Sequence, residues 1–447
     1  MRSATTIFLA LAALSLAPLA FPARAAEEKP DPKMPKEREY SYIWDLLDNS
    51  VARPIARQLD AARLIRRIGN APREAANVDA DDQVRMPSTW WTPRAGFRPV
   101  PVEQMLKGPG DGSGPATGRW TVTKAKTQGV TPGFQIKDAK GRRFIVKFDA
   151  PNFPELASGA DVVGTYLFWA AGYNTPDNTI CYFRAESLDI DPEATFKDAI
   201  GNEKKFDQKH LDGLLQRVAR RPDGSYRALA SLFVKGKPLG PFEYQGRRKD
   251  DPEDLIPHEL RRELRGMWAM AAFTNHADIR GPNSLDAWVE EGGRSFVRHY
   301  LIDFGSILGS SAIGARSPVT GTEYYVDYNV MARQFLTLGL APFDWEDTVD
   351  PELKSVGFVE AAEFDPVHWR PDYPNPAFDD RTDRDVRWGV RIVSGITDAH
   401  IRAAVAAAKY SDPRAAEYLT QVLIQRRDKL VRTWLGGDAE ARTASQR

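Results

Sequence analysis

Cysteine is nearly absent. The 447-residue chain has one, Cys181, which rules out an intrachain disulfide and any Cys-rich metal site. Histidine is scarce too. The six (His210, His258, His276, His299, His368 and His400) show no zinc-ligand spacing. Charge of one sign is missing: Lys+Arg and Asp+Glu are both 61, so no global field argues for nucleic acid or a membrane surface. There is no G-x-S-x-G nucleophile elbow and no G-x-G-x-x-G loop. Two Asp-rich stretches, Asp250-Asp251…Asp254 and Asp379-Asp380…Asp383…Asp385, lack the EF-hand register and read as solvated loops. Only the amino terminus carries a long apolar run, Ile7 to Ala20, too short for a comfortable membrane span and interrupted by Pro18.

That run has a different reading. Arg2 precedes it and Ala23-Arg24-Ala25 follows, the pattern of a cleavable export signal over residues 1–25. The expectation is a secreted or periplasmic protein with no stable membrane span. No Cys stands at the cleavage site for a lipid anchor. Composition is otherwise globular, 42% hydrophobic and 27% charged.

Along the chain, residues 26–118 read as an extension ending in a Gly/Pro/Ser linker, 108–118. Within it, Val51, Ile55, Leu59, Ala62 and Ile65 recur at helical spacing among arginines. This predicts a helix over 42–69 packed on the body through its apolar stripe; the competing reading is a basic helix on a membrane surface. Residues 70–107 lack periodicity, and Trp90 and Trp91 are expected to pin them to the body's surface. From 119 to 185 three alternating runs (119–123, 133–137, 143–148) predict a small antiparallel sheet, followed by a helix over 157–171 that stops at Gly172. Residues 186–222 read as short helices and charged loops. Helices are predicted at 258–273, 384–395 and 398–434, and a disordered tail at 436–447.

The most informative stretch is His276-Ala277-Asp278-Ile279-Arg280-Gly281-Pro282-Asn283, a hairpin, then Leu301-Ile302-Asp303-Phe304-Gly305. An Asp, an Asn five residues on, and an Asp-Phe-Gly after a strand form an ordered set of hard oxygen ligands and one carboxylate base. With a lysine on the third strand, Lys147, this resembles the protein-kinase-like superfamily, in its divergent bacterial and secreted branches, across residues 119–435.

The resemblance implies an α+β bilobal kinase-like fold: a small sheet lobe at 119–185, a mostly helical lobe at 186–435, and an amino-terminal helical extension. It implies ATP as co-substrate and Mg²⁺ or Mn²⁺ as metal. Asp278 would be the base, Arg280 would neutralise the transferred phosphate, and Asn283 and Asp303 would hold the metal. Lys147 would contact the nucleotide phosphates, and its acidic partner would be Asp161 or, less favoured, Glu155. The segment Lys124 to Gly133, with Lys126 and Gly129, stands where the phosphate loop belongs and reads equally as a plain hairpin. His276 is expected to be structural. Ala277 replaces the family's usual arginine, which implies no switching through a phosphorylated loop, and no Ala-Pro-Glu follows Gly305. The acceptor is unspecified, as is phosphoryl against nucleotidyl transfer. The alternative is an inactive kinase-fold scaffold of the cell envelope.

Overall fold

The structure is a computed structural model that describes residues 33–38, 42–69, 71–126, 131–197, 202–343 and 345–444. The expected export signal, Gly129 and the last three residues lie outside these ranges. Near the amino terminus, α1 (Tyr42–Leu47) runs through a π-helical turn into α2 (Arg53–Gln58), and α3 (Ala61–Ile68) follows. After α4 (Val102–Lys107) come β1 (Trp120–Ala125), β2 (Gly133–Lys137) and β3 (Arg143–Lys147), then α5 (Leu156–Ala170) and β4 (Asn178–Phe183). Next are β5 (Leu188–Lys197), β6 (Glu203–Lys205), α6 (Gln208–Leu215), β7 (Tyr226–Leu232) and β8 (Lys237–Pro238). The rest is α7 (Arg262–Thr274), β9 (Ser284–Glu291), β10 (Arg294–Leu301), α8 (Tyr328–Leu336), α9 (Pro376–Asp379), α10 (Asp383–Ser394), α11 (Asp398–Ala407) and α12 (Pro413–Ala444).

Seven strands form one sheet, ordered β4-β7-β3-β2-β1-β5-β6; β1 and β5 run parallel and the other pairs antiparallel. The sheet therefore extends to Leu232, beyond the boundary expected at 185. Residues 186–222, read as helices and loops, contribute a ten-residue strand. Local charge hid it: β5 is an outer strand with most positions open to solvent, so apolar alternation is weak. β9 and β10 pair in register from Ser284–Leu301 to Glu291–Arg294, with β8 on the edge of this second sheet.

The strands follow their alternation. Phe134, Ile136, Phe144 and Val146 are buried in the core of the small lobe. Lys147, next in β3, points to the opposite face, toward α5. α5 is buried at every residue, as a helix apolar on all sides must be. Its polar residues are satisfied internally; Ser158, for example, donates to Asp149 through both backbone and hydroxyl. Glycine matters at one position: a Cβ on Gly164 would lie 2.6 Å from Phe304 Cβ and Ile307 Cδ1, so α5 can approach the Asp-Phe-Gly turn closely only without it.

Four other expectations change. Trp90 and Trp91 belong to the main core itself, and Trp91 Nε1 donates to the Ala171 carbonyl at 2.8 Å. The carboxy-terminal helix is two helices, broken where Lys409 takes a left-handed φ of 53° and Pro413 begins α12. The tail expected to be disordered is helical as far as Ala444. The α1–α3 segment does meet the body, though through polar groups: Asp45 with Arg280, Arg53 with Glu243 and Arg63 with Asp380. Its predicted apolar stripe faces solvent, with Leu59 77% and Ile65 69% exposed.

Candidate functional site

Lys147 sits at the carboxyl end of β3, between Gly133 of β2 and Leu229 of β7. Its ammonium lies 3.2 Å from Asp161 Oδ2 on α5 and 2.9 Å from Asp303 Oδ1. Asp161 is fixed on its other oxygen: Asn178 Nδ2 donates to Oδ1 at 2.8 Å and the Phe304 amide at 3.2 Å. Burial disfavours the charged Lys147, yet the two carboxylates outweigh it and its pKa is raised. Burial pushes Asp161 up, while Lys147 holds Asp303 below the usual carboxylate range. Asp161 is sealed; the Asp303 side chain is half exposed, at 50%. Asp303 adopts a left-handed backbone, φ 60°, which Asp tolerates better than most residues. Glu155, the other candidate partner, instead accepts from the Ser411 amide at 2.8 Å.

Lys126 reaches the same cluster. Its ammonium donates to the carbonyl and hydroxyl of Thr131, both at 2.9 Å. Burial, then repulsion from Lys147, lowers its pKa to about 8. Two lysines therefore converge from β3 and from the β1–β2 connection.

The second half is built on the turn after α7. Asn275 closes that helix in a left-handed conformation, φ 50°. Asp278 Oδ1 then accepts from Arg280 Nε at 2.7 Å. Arg316 Nη2 stands 3.9 Å from Asp278 Oδ2, and the Ser306 hydroxyl 3.5 Å from it. Burial would raise the Asp278 pKa, but Arg280 and Arg316 overcome it and hold it below the usual range. Asn283 Nδ2 donates to the Asp278 carbonyl at 2.6 Å, and the Ile302 amide donates to the Asn283 carbonyl at 3.0 Å. That pair of bonds ties base, amide and Asp303 into one rigid unit.

His276 is buried against Phe168 and Phe304. Burial drops its pKa to about 4, and its Nδ1 finds no hydrogen-bond partner among the described residues. Its neutral ring packs within the fold.

Three contributors were not visible in the sequence. Arg316 pairs with Asp372 and faces Asp278. The Asp372 amide donates to the Ala277 carbonyl at 2.9 Å. Asp45, from the extension, lies 2.9 Å from Arg280 Nη1. No motif spacing connects these residues.

Among the described residues no group of three His, Cys, Asp or Glu could hold a metal ion. One carboxylate and one amide suit a hard cation that takes its other ligands from phosphate and water. Asp303 and Asn283 supply one group of each kind, linked through the Ile302–Asn283 backbone bond.

No protein-family model matches the sequence, and no curated protein matches it. Three solved structures share features of the trace. A Helicobacter pylori proinflammatory kinase, CtkA, is 12% identical with a TM-score of 0.36, covering 71% of this chain and 94% of that one. A Golgi casein kinase is 8% identical, TM-score 0.33, covering 73% and 75%. Hydra Fam20 with sugar is 13% identical, TM-score 0.25, covering 70% and 95%. At these scores the likeness assigns neither fold nor function, and any functional reading rests on the site. The seven-stranded sheet carries Lys147, while the turn after α7 and the β9–β10 hairpin carry Asp278, Asn283 and Asp303: the architecture is α+β, with an amino-terminal helical extension.

Proposed function

We propose that this protein is an exported, metal-dependent phosphotransferase that uses ATP and phosphorylates a hydroxyl-bearing acceptor. The observation that carries the reading is the joining of Lys147, Asp161 and Asp303 by ion pairs, with an anionic Asp278 tied to the same hairpin through Asn283. Lys147 would bind the α/β-phosphates, with Lys126 beside it. Asp303 and Asn283 would hold Mg²⁺ or Mn²⁺, which when bound neutralises phosphate charge. Asp278 Oδ2, the oxygen turned away from Arg280 Nε, would take the proton of the acceptor hydroxyl as the hydroxyl oxygen bonds to the γ-phosphorus and the bond from that phosphorus to the bridging oxygen breaks, releasing ADP. Arg280 and Arg316 flank the transferred group. One observation favours a second reading, a nucleotide-binding scaffold without turnover: Arg280 already holds one oxygen of the base.

The test is thermal unfolding with ATP and Mg²⁺ or Mn²⁺, followed by transfer of the γ-phosphoryl group from labelled ATP. At 100 times Kd, binding stabilises by about 2.7 kcal/mol. Metal-dependent stabilisation lost in Asp303→Ala, with transfer lost in Asp278→Asn, is expected. Binding without transfer to any acceptor favours the scaffold, and no binding rejects both.

A further inference from the structure

The contact between Asp45 and Arg280 joins residues 235 apart in sequence. It places a carboxylate of the amino-terminal extension on the catalytic turn. The Arg280 guanidinium bridges two acids, Asp278 through Nε at 2.7 Å and Asp45 through Nη1 at 2.9 Å, and lies over the Tyr373 ring. Both members of the Arg280–Asp45 pair are sheltered, their side chains being 12% and 7% exposed. Asp45 is itself held: Asn49 Nδ2 donates to its Oδ1 at 2.8 Å and to its carbonyl at 2.9 Å. One turn further on, Arg53 Nη2 pairs with Glu243 at 2.9 Å. Polar contacts like these hold the extension to this face, while Trp44, Leu47, Val51 and Ile55 on the same helices remain in solvent. An apolar-anchored helix would be a permanent part of the body; one docked by ion pairs is set by charge.

The electrostatic consequence has a definite sign. Of the two arginines beside Asp278, Arg316 is already paired with Asp372; Arg280, without Asp45, would offer more of its charge to an incoming phosphate. With Asp45 attached, two carboxylates share that one cation, so an anion meets a less favourable potential. Resting on the phosphotransferase reading, we propose that Asp45 is a positioning residue that restrains Arg280: it holds the guanidinium toward the extension and weakens its engagement with the nucleotide phosphate.

The experiment is a double-mutant cycle on the full chain, reading the Kd of Mg·ATP by calorimetry. Asp45→Asn is expected to tighten binding by about fivefold, the low end of typical coupling between sites. Asp60→Asn removes the same charge from the same segment at a residue that caps Arg63, and is expected to leave Kd unchanged. Arg280→Ala is expected to weaken binding, and Asp45→Asn added to it is expected to change nothing further. Asp45→Glu, which restores the carboxylate, is expected to return Kd toward the wild-type value. Equal effects of Asp45→Asn and Asp60→Asn, or an Asp45 effect that persists without Arg280, overturn the proposal and leave the phosphotransferase reading standing. Absence of Mg·ATP binding in wild type and every variant overturns both. Should Asp45→Asn not fold, Arg53→Gln severs the extension's pair with Glu243 and carries the same expectation in smaller measure; an unchanged Kd there counts against the proposal.

Discussion

The two halves of the site are built as opposites. At one, an ammonium, Lys147, stands between two carboxylates; at the other, a carboxylate, Asp278, stands between two guanidiniums. In each case the central group is buried, and burial alone would discharge it; two opposite charges keep it ionised. The partners differ in rigidity. Asp161 is locked by Asn178 and the Phe304 amide inside the core. Arg280 and Arg316 are each shared with a second acid, Asp45 and Asp372. The lysine end is thus fixed by packing, whereas the aspartate end is set by a balance of charges that a distant segment can alter.

The largest break in this symmetry is chemical. Asp278→Asn preserves shape and removes the proton acceptor, so transfer is expected to fall roughly 100- to 10,000-fold while Mg·ATP still stabilises the fold. Asp303→Ala is expected to lose both, and comparing binding with transfer in the two variants separates the halves of the site.

Next comes a difference in stability. Lys147→Met leaves Asp161 buried without its cation, a loss on the order of 3–5 kcal/mol, to be read by urea unfolding at neutral pH. The deficit should shrink in acid, where the carboxylates can protonate. Arg280→Gln, at the adjustable end, should cost less.

The pH dependence sharpens the contrast. The depressed pKa of Asp278 contributes stability above the ordinary carboxylate pKa, and that stability is lost as pH falls through the lowered value. The acid limb of kcat/KM should therefore lie below the ordinary carboxylate range, and Arg316→Gln should move it to higher pH. His276 acts earlier. With its pKa lowered from 6.5 to about 4, the unfolded chain takes up a proton that the folded one refuses. Stability should fall by about 3 kcal/mol between those values, and His276→Gln should flatten that slope.

The smallest effect is expected far from the site. Arg294 and Glu253 pair at 3.2 Å with side chains 62% and 43% exposed, so Arg294→Gln should give no resolvable change in melting temperature.

Much of the lysine end was legible because it lies on regular elements. Alternation in β3 sets the side on which Lys147 emerges, and the apolar run of α5 places Asp161 against it. The aspartate end was legible only in its local turn, Asp278 to Asn283. The sheet's real extent was hidden because β5 is a polar outer strand. The extension misled for another reason: its apolar spacing predicts helix over a stretch that is helical but interrupted between α2 and α3, and periodicity does not say which face meets the body.

The sequence by itself determined strands β1 to β3, helices α5, α7 and α10, the order of Lys147, Asp161, Asp278, Asn283 and Asp303, and the side of β3 on which the lysine stands, because these follow from local spacing. Only the tertiary structure decided that Asp45, Arg316 and Asp372 surround Asp278, and that the apolar stripe of the extension faces water. Ion pairs between residues far apart in the chain leave no periodic trace, since each is set by how whole elements pack.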